Sequence, residues 1–481
     1  MSEMEFWSWP TRYDDSYRPE PGSRYWFPRR ETMDRGERER AIVKRLREVC
    51  RYAYERAPFY RRKWDEAGFH PEQVTSLEAF EDKCPVITKA DLRRAQERAE
   101  PFGDYLCAPE SEVFHIHGTS GTTGRPTAFA ISRSDWSNIA NAHARVMWGM
   151  GIRPADTVFV AAIFSLYMGS WGALAGVERL GAKAFPFGAG APGMSSRAVQ
   201  WLNQMRPQVF YGTPSYALYL AEVARKEGFE PVRFGLKRMF FSGEPGASVP
   251  GVRERIREAY RAEIYDCGSM AEMSPWMNVA GSAETHEGML CWQDVIYTEV
   301  CDPVRFHRVP YGERGTPVYT HLERTSQPMI RLLSGDLTLW TNDPTPCGRT
   351  YPRLPHGIFG RIDDMFTIRG ENVYPSEIDA ALNQIPGYGG EHRIVISRER
   401  QMDELLLRVE PTPENEAEGP AALTGFKDAV ARRIQTVLGL RAQIEIVACG
   451  TFPRTDFKAR RVIDDREVFR ELNQRLSGES R

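Results

Sequence analysis

Hydroxyl side chains and glycines are concentrated in one short stretch of the chain, HGTSGTTGRPTAF at residues 117–129. Glycines let a backbone turn its N–H groups towards one point, and neighbouring hydroxyls add further donors, so this stretch can surround a phosphate. It lies between the strand-like VFHIH and another apolar segment, which predicts a loop between two strands rather than a flexible linker. The pattern G-x-x-x-x-G-K-[ST] is absent. The sequence therefore predicts a phosphate-binding loop of a different kind from that of P-loop NTPases.

An alternating pattern from about residue 110 to 340 predicts the elements that must position this loop. Short β-branched runs, TVFVAA, QVFYG, RMFFSGE and AEIYD, are separated by stretches with helical spacing. This alternation is typical of βα units around a mostly parallel sheet. We expect Ser134 to cap the first of these helices. A further amphipathic helix is predicted over residues 36–55, with an apolar face formed by Ile42, Leu46, Val49 and Ala53.

The pattern changes after about residue 360. The runs MFTI, HRIVIS, ELLLRVE and AQIEIVA look like strands, and TGFKDAVARRIQTVL and a final helix are expected to pack with them. ENEAEGPAALTG is expected to be a polar loop. The sequence therefore predicts a large α/β domain over residues 1–359 and a small α+β domain over residues 360–481.

The bulk composition excludes several classes of protein. Lys and Arg number 63 and Asp and Glu number 65, so no bulk attraction to nucleic acid or to an anionic membrane is expected. The eight cysteines are scattered and form no C-x-x-C pair, as in a protein with reduced thiols. The uncharged segment 157–177 is broken midway, so we expect a strand, a loop and a packed helix rather than a membrane span. These features predict a cytoplasmic protein.

Several motifs follow the hydroxyl-rich loop in a fixed order. They are SGEP at 242–245, SMAE at 269–272, SGDL at 334–337, GRIDDMFTIRGENVYPSEID at 360–379 and PRTDFKARRVID at 453–464. Together with TSGTTGRPT, this series resembles the adenylate-forming superfamily of acyl-CoA synthetases, peptide-synthetase adenylation domains and luciferases. Within it, GTPSY, QPMIRLLSGDL and the run from Cys347 to Ile378 most resemble the phenylacetate–CoA ligases. The resemblance extends from about residue 40 to the end of the chain.

The resemblance implies a fold and a reaction. The fold would be α/β, with a large multi-sheet N-terminal adenylate-forming domain and a small, mobile α+β C-terminal domain. A carboxylate would attack the α-phosphate of ATP, giving an acyl-adenylate and pyrophosphate, and the thiol of coenzyme A would then displace AMP. Both steps concentrate negative charge, so cations and N–H donors are expected to carry most of the catalysis. The implied cofactors are ATP, Mg²⁺ and coenzyme A.

The resemblance also assigns catalytic roles. Lys458 matches the lysine of the C-terminal domain that reaches the α-phosphate and the carboxylate. Glu272 matches the residue that orients Mg²⁺, and Asp336 resembles the ribose-binding aspartate, with Arg361 as its partner. Asp363 occupies the hinge position, about which the small domain is expected to rotate between the two half-reactions.

A larger set of residues is implied to bind the substrates. Arg125 and the loop hydroxyls would hold the β- and γ-phosphates, and Gly370 would line the tunnel for the pantetheine arm of coenzyme A. The implied ATP-binding set is Thr119, Ser120, Gly121, Thr122, Thr123, Gly124, Arg125, Ser242, Gly243, Glu244, Pro245, Ser269, Met270, Asp336 and Arg361.

The chain departs from the family pattern at four places. Arg125 stands where most relatives have lysine, which keeps the charge and replaces a point charge with a bidentate fork. Residues 268–272 lack the aromatic side chain that stacks on adenine, and Tyr265 is a candidate to replace it. Phe457 stands where the family has a glycine. Thr345 replaces one member of the Cys-x-Cys pair that holds a structural zinc in some relatives, so we expect no zinc.

Aromatic side chains are frequent in the segments that align with the acid-binding region of relatives. We call Phe164, Tyr167, Trp171, Tyr216 and Met270 the acyl set. Such rings suit an aromatic or arylacetic acid, and without a lone cation nearby a monocarboxylic acid is favoured. The sequence leaves open whether the acceptor is coenzyme A, a carrier protein or an amine, and whether the protein is a homodimer. A non-catalytic binder of nucleotide and acid is a further alternative.

Overall fold

The computed structural model divides the chain into two compact units. The large unit comprises Met1–Gly243 and Ile256–Ile358, and the small unit comprises Glu244–Arg255 and Phe359–Arg481. No feature of the sequence indicated that a stretch from the middle of the chain belongs to the small unit. The described residues are 8–119, 127–188, 193–243, 247–248, 250–276, 278–279, 288–358, 360–361, 366–368, 371–373, 375–397, 404–452 and 462–464.

Helices precede and then alternate with the strands of the large unit. The helices are α1 (Pro28–Glu31), α2 (Arg35–Arg56), α3 (Pro58–Ala67), α4 (Leu77–Lys83), α5 (Lys89–Arg98), α6 (Arg133–Gly149), α7 (Met168–Leu180), α8 (Met194–Met205), α9 (Pro214–Lys226) and α10 (Pro250–Tyr260), the last of which has residues in both units. Short 3₁₀ helices span Pro71–Gln73, Glu110–Glu112 and Pro231–Phe234.

The strands of the large unit are mostly short. They are β1 (Val113–Thr119), β2 (Thr127–Ser132), β3 (Thr157–Val160), β4 (Lys183–Phe185), β5 (Val209–Gly212), β6 (Arg238–Phe241), β7 (Glu263–Gly268), β8 (Asn278–Val279), β9 (Met289–Cys291), β10 (Ile296–Cys301), β11 (Arg314–His321), β12 (Leu332–Leu333), β13 (Asp336–Leu339) and β14 (Arg353–Leu354).

The main sheet of the large unit has the strand order β14–β9–β8–β7–β6–β5–β3–β4. Strands β4, β3, β5, β6 and β7 run parallel, whereas β8, β9 and β14 pair antiparallel. Every residue of β5 is buried, as in parallel sheets that are covered on both faces. The parallel sheet predicted from the alternating pattern is confirmed.

Several apolar clusters are buried among the described residues of the large unit, and we call two of them the first and the second core. The face predicted for the helix over 36–55 is buried in α2 and contributes to the first core, which also contains Trp64 and Tyr297. The second core lies around the parallel sheet and contains Val158, Tyr211 and Phe240. The helical spacing of apolar residues in the sequence therefore predicted the buried face of α2.

The hydroxyl-rich stretch lies between two paired strands, as predicted. Strands β1 and β2 are antiparallel, and their last pairs in register are Gly118 with Ala128 and Thr119 with Thr127. This pairing places the two ends of the intervening segment opposite each other on neighbouring strands. A separate antiparallel sheet pairs β11 with β10, β12 and β13.

Two helix ends of the large unit depend on single residues. Ser132 caps α6 by accepting a hydrogen bond from the backbone N–H of Asp135 at 3.1 Å. The predicted cap, Ser134, is wrong because it already lies in the first turn. Helix α7 ends at Gly181, whose N–H donates to the carbonyl oxygens of Val177 and Glu178.

The uncharged segment 157–177 comprises β3, a loop and most of α7, as predicted. Within the described residues, no helix combines the length and the hydropathy that a membrane span requires.

A network of buried charges joins the N-terminal segment to the rest of the large unit. Glu31 accepts hydrogen bonds from Nε of Arg145 at 3.1 Å and from Nε of Arg349 at 2.8 Å. Arg145 also donates to Asp294 at 2.8 Å, and all four side chains are buried. Burial alone would raise the pKa of Asp294, but the Arg145 and Arg30 guanidiniums outweigh it and hold that pKa well below its ordinary value. The carboxylate of Asp294 therefore stays ionised inside the protein.

His143 joins α6 to α7 and to the segment before β8. Its Nδ1 donates to the carbonyl oxygen of Gly172 at 2.7 Å, and its Nε2 accepts from the backbone N–H of Trp276 at 3.0 Å. A Cβ at Gly172 would lie 2.4 Å from the His143 ring, so glycine is needed for this approach. Burial lowers the pKa of His143 to about 4, against the opposing effect of its hydrogen bond to Gly172. The imidazole is therefore neutral at neutral pH.

The small unit is a sheet packed with helices. Its elements are β15 (Gly360–Arg361), β16 (Phe366–Ile368), β17 (Glu371–Val373), α11 (Pro375–Leu382), β18 (Tyr388–Ser397), β19 (Glu404–Pro411), α12 (Pro413–Ala417), α13 (Pro420–Leu438), β20 (Gln443–Ile446) and β21 (Val462–Asp464). One sheet has the order β20–β19–β18–β21, with the central pair antiparallel and the outer pairs parallel. Helices α11 and α13 share its core, so the predicted α+β architecture is confirmed.

The predicted polar loop ENEAEGPAALTG is wrong. Helices α12 and α13 both begin in or next to it, because Pro413 and Pro420 occupy their first turns, where proline favours a helix start. The final helix predicted after residue 464 lies outside the described residues.

Replacing Arg145 tests the buried charge network. We expect Arg145→Met to lower the free energy of unfolding by roughly 3–5 kcal/mol, because two buried carboxylates lose their cation. Urea unfolding followed by tryptophan fluorescence measures the change. The matched control is Arg51→Met, which breaks an exposed pair with Glu72 and should leave the unfolding free energy nearly unchanged. Equal stability of the two variants would contradict the role of the network.

The pH dependence of stability tests the state of His143. The folded protein disfavours the protonated imidazole, so its contribution to stability is complete above the ordinary pKa of 6.5 and is lost as the pH falls towards 4. We expect a falling thermal midpoint between about pH 7 and about pH 4, and a smaller fall in His143→Gln, whose side chain does not titrate. An identical fall in both proteins would assign the acid sensitivity to other groups.

Candidate active site

Three hydroxyl groups meet at the carboxyl edge of the parallel sheet. Ser242 follows β6, and its Oγ lies 2.6 Å from Oη of Tyr211 in β5 and 3.2 Å from Oη of Tyr167. Because β5 and β6 are neighbouring parallel strands, their carboxyl ends open on one edge. Ligands of open α/β sheets bind outside this edge. We call Tyr167, Ser242 and Tyr211 the hydroxyl cluster, and it lies where a substrate is expected.

Burial decides which hydroxyl of this cluster can meet a ligand. Tyr211 and Ser242 are buried, whereas Tyr167 is half-buried. Burial raises the pKa of Tyr211 well above its ordinary value, so this phenol stays protonated. Each of the three hydroxyls can donate one hydrogen bond and can also accept. Tyr167 is the half-buried member, so its hydroxyl is the one best placed to meet a ligand.

Gly243 allows the Tyr167 hydroxyl to approach Ser242. Its φ is +95°, a conformation that favours glycine. A Cβ at this position would lie 3.1 Å from Oη of Tyr167, closer than most such contacts. Ser242 and Gly243 come from the SGEP motif, for which the sequence predicted contact with ATP. The structure places both beside a member of the acyl set.

The loop before α7 and its first turn carry three aromatic members of the acyl set. Phe164 and Trp171 are half-buried and meet edge to face, with ring centroids 5.2 Å apart. Tyr167 lies between them in the sequence. Tyr216 is buried near the start of α9, and Met270 packs against the first core. Phe164 and Tyr167 pack against the second core, whereas Met270 packs against the first.

Glu272, which is predicted to orient Mg²⁺, forms an ion pair with a lysine. Its Oε1 lies 3.4 Å from Nζ of Lys89, the first residue of α5, and Glu272 itself is buried. One buried carboxylate fits Mg²⁺, which nucleotide sites hold with one or two carboxylates together with phosphate oxygens. Among the residues that the structure describes, no group of three or more His, Cys, Asp or Glu could hold a metal by itself. Phosphate oxygens would have to complete the coordination.

Asp336, the predicted ribose ligand, begins β13. Its backbone N–H donates to Oγ of Ser334 at 3.0 Å, and the buried Ser334 fixes this turn from inside. Asp336 is half-buried. Ser269, from the SMAE motif, is half-buried in the segment after β7.

Many predicted site residues lie outside the described part of the chain. Of Thr119 and Arg361 the structure describes the backbone, in β1 and β15. The residues outside the described ranges are Ser120, Gly121, Thr122, Thr123, Gly124, Arg125, Glu244, Pro245, Asp363, Gly370 and Lys458.

Tyr265 is not available to cover an adenine ring, contrary to the suggestion from sequence. It is fully buried in the second core, and its hydroxyl donates to Glu263 at 2.9 Å. Thr345 replaces a cysteine of the zinc pattern, and its Oγ1 lies 3.1 Å from Sγ of Cys347. Cys347 belongs to the second core, whereas Cys291 belongs to a separate apolar cluster.

Sequence reasoning did not single out Lys89 or Tyr211. Tyr211 lies in QVFYG, where it is one more apolar-compatible residue of a buried strand. Lys89 follows Thr88 at a helix start, where Thr88 and Asp91 form a capping box. Neither position carries a local signal of function, because each depends on a partner far away in the sequence.

Family models match both parts of the chain. The model described as AMP-binding enzyme matches residues 56–316, and the model described as AMP-binding enzyme C-terminal domain matches residues 370–466. Two curated relatives are phenylacetate-coenzyme A ligases. That of Thermus thermophilus is 33% identical over 92% of this chain and 99% of its own length, and that of Escherichia coli is 32% identical over 91% and 97%.

Solved structures extend the comparison. A structure of 2-hydroxyisobutyryl-CoA ligase in the postadenylation state, in complex with 2-HIB-AMP, is 70% identical to this chain, with a TM-score of 0.93 over 99% of both chains. The same-named ligase in complex with 2-HIB-AMP and CoA, in the thioesterification state, is 71% identical, with a TM-score of 0.75 over 99% of both. The chain therefore belongs to the AMP-binding enzyme family, the adenylate-forming enzymes that its series of motifs resembles.

Proposed function

We propose that this protein joins a small 2-hydroxy acid to coenzyme A, with conversion of ATP to AMP and pyrophosphate. Without regard to the identity of the acid, the activity is that of an AMP-forming acid–CoA ligase. The acid and ATP give an acyl-adenylate, from which the coenzyme A thiol displaces AMP. Family membership and similarity to acid–CoA ligases over nine-tenths of the chain support this activity. The class of acid is a more specific proposal, and it is based on the hydroxyl cluster.

A hydroxyl next to the carboxyl group of an acid needs a partner that can donate or accept a hydrogen bond. The phenol hydroxyl of Tyr167 can do either, and it lies beside Ser242 at the edge of the hydroxyl cluster. An acid without this hydroxyl would leave a polar group facing apolar surface, which costs about 1–3 kcal/mol. The 70% identical ligase that was solved with 2-HIB-AMP supports the same class of acid.

An aromatic or arylacetic acid is the second candidate. Phe164 and Trp171 form an edge-to-face pair in the same loop as Tyr167 and could pack against a ring. The relatives that are 32–33% identical are phenylacetate-coenzyme A ligases, which supports this alternative.

The residues predicted from the motif series are proposed to serve both half-reactions. The loop 119–124 and Arg125 would hold the β- and γ-phosphates and stabilise pyrophosphate as it leaves. The carboxylate of Asp336 would accept hydrogen bonds from the ribose hydroxyls, with Arg361 as its partner. The ammonium of Lys458 would lie near the acid carboxylate and the α-phosphate and reduce the repulsion between them.

Glu272 would hold Mg²⁺, which when bound neutralises charge on the phosphate oxygens. Lys89 would share Glu272 with this ion, since the two side chains are already paired. Residues 1–359 and 360–481 are proposed as the two functional domains, with Asp363 at their hinge and Gly370 beside the pantetheine arm. Coenzyme A is the proposed acceptor, and a carrier protein or an amine is the alternative.

A panel of acids tests this function directly. Purified protein with ATP and Mg²⁺ should release pyrophosphate with 2-hydroxyisobutyrate, and added coenzyme A should convert the bound adenylate to thioester. We expect isobutyrate, which lacks the hydroxyl, to be used with roughly 10- to 100-fold lower kcat/KM, because Tyr167 then loses its partner. Highest activity with phenylacetate would favour the second candidate. Binding of ATP and acid without pyrophosphate release would indicate a non-catalytic protein.

The matched control for this panel is Tyr167→Phe, which removes the hydroxyl and keeps the ring. It should reduce kcat/KM for 2-hydroxyisobutyrate by about tenfold and leave isobutyrate nearly unaffected. A similar loss for both acids would remove the hydroxyl cluster from acid recognition. Thioester formation with free coenzyme A as the sole acceptor separates coenzyme A from the other acceptors.

The two half-reactions test the role of Lys458. We expect Lys458→Ala to slow acid-dependent pyrophosphate release by roughly 10²–10³-fold, because a charge that stabilises the transition state is lost. Thioester formation from supplied acyl-adenylate should be nearly unchanged. The control is Lys427→Ala, at an exposed position of α13. Equal losses in both half-reactions would contradict a role confined to adenylation.

A further inference from the structure

We propose that His117 is a positioning residue that sets the preference for a hydroxyl-bearing acid, acting through the carbonyl oxygen of Leu166 on the neighbouring Tyr167. This inference rests on the proposed function, because it concerns recognition of the acid by the hydroxyl cluster. His117 lies in β1, immediately before the hydroxyl-rich loop. The same strand would thus support nucleotide binding and choice of acid.

Two hydrogen bonds from β1 hold the residue that precedes Tyr167. The carbonyl oxygen of Leu166 accepts from the backbone N–H of Gly118 at 3.1 Å and from Nδ1 of His117 at 3.3 Å. The side chain of Leu166 is 54% exposed, and Ser165 is also exposed. Apolar packing therefore does not anchor this part of the loop. The backbone carbonyl of Leu166 anchors it, and the carbon of this carbonyl is bonded to the backbone nitrogen of Tyr167.

The His117 ring is itself held rigidly. It is buried and lies nearly parallel to the rings of His115 and Trp136, with centroids 5.6 Å and 5.9 Å away. Burial is the main cause that lowers the pKa of His117 to about 4, so the ring is neutral at neutral pH. A carbonyl oxygen can only accept, which places the single ring proton on Nδ1. Within the described residues Nε2 is buried without a hydrogen-bond partner, so the ring directs its one donor to Leu166.

The hydrogen bond from His117 to Leu166 lies next to Tyr167, the residue proposed to recognise the hydroxyl of the acid. Tyr167 is half-buried, and its Oη reaches Ser242 at 3.2 Å, a distance that a small displacement of the loop would break. Loss of the His117 donor would leave one of the two bonds that fix Leu166. The expected consequence is a misplaced Tyr167 hydroxyl, and hence weaker discrimination between hydroxyl-bearing and plain acids.

A double-mutant cycle between His117 and Tyr167 tests the proposal. The measured quantity is the ratio of kcat/KM for 2-hydroxyisobutyrate to that for isobutyrate, at saturating ATP and coenzyme A. We expect His117→Leu to lower this ratio roughly tenfold. His117→Asn should restore most of it, because its amide nitrogen can donate from nearly the position of Nδ1. In the Tyr167→Phe background, His117→Leu should change the ratio less than about twofold.

The control is Ile116→Ala, which shortens an exposed side chain of β1 next to His117 without removing a described bond to the loop. It should leave the ratio unchanged, and circular dichroism should show that every variant is folded. An unchanged ratio in folded His117→Leu would overturn the proposal. A tenfold loss that persists in the Tyr167→Phe background would also overturn it, since His117 would then act independently of Tyr167.

Failure of the proposed function is distinguishable from failure of this inference. If the unmodified protein shows no preference for the hydroxyl-bearing acid, the assigned class of acid is wrong. The same cycle is then measured as kcat/KM for the best acid of the panel. Non-additive losses at His117 and Tyr167 would still support the positioning role, and additive losses would overturn it.

Discussion

The large unit depends on the pairing of charges that are removed from water. Glu31, Arg145, Asp294 and Arg349 come from four separate segments and are buried together. A buried charge without a partner of opposite sign is costly, so an arrangement that separated these residues would be less stable. Arg145 belongs to α6, which therefore has a fixed place. The same helix carries His143, bonded to α7, and Trp136, parallel to the ring of His117.

Fixing α6 in turn fixes the surroundings of the proposed acid-binding site. The loop that precedes α7 is bonded to β1 through the carbonyl of Leu166 and reaches the end of β6 through the hydroxyl of Tyr167. Strand β1 also leads into the predicted phosphate loop. The loop before α7 and the predicted phosphate loop would therefore both depend on β1. A displacement of either loop would be expected to change the position of the other. At the proposed site the polar contact would come from an aromatic residue, whose ring and hydroxyl can serve different parts of a ligand.

Local patterns in the sequence predicted much of the fold. The spacing of Ile42, Leu46, Val49 and Ala53 predicted the buried face of α2, and the alternation of strands and helices predicted the parallel sheet. Both depend on neighbours within a few residues. The order of motifs identified the family. The pairs Lys89–Glu272 and Tyr167–Ser242 could not be predicted, because their members lie far apart in the chain and meet only after folding. Ring content predicted an aromatic acid, and this stays a prediction. A sequence gives the type of Tyr167 but not that its hydroxyl reaches Ser242.

The small unit is assembled from two separate stretches, since the chain passes between the units after Gly243, Arg255 and Ile358. The inner stretch is closely fitted: a Cβ at Gly251 would lie 2.5 Å from the carbonyl oxygen of Asn383. A recombinant fragment that starts at Phe359 would lack this stretch and would expose the surface that it covers. Exchange of the C-terminal part between related ligases therefore requires that residues 244–255 be transplanted with it, so that the donor and recipient surfaces remain matched.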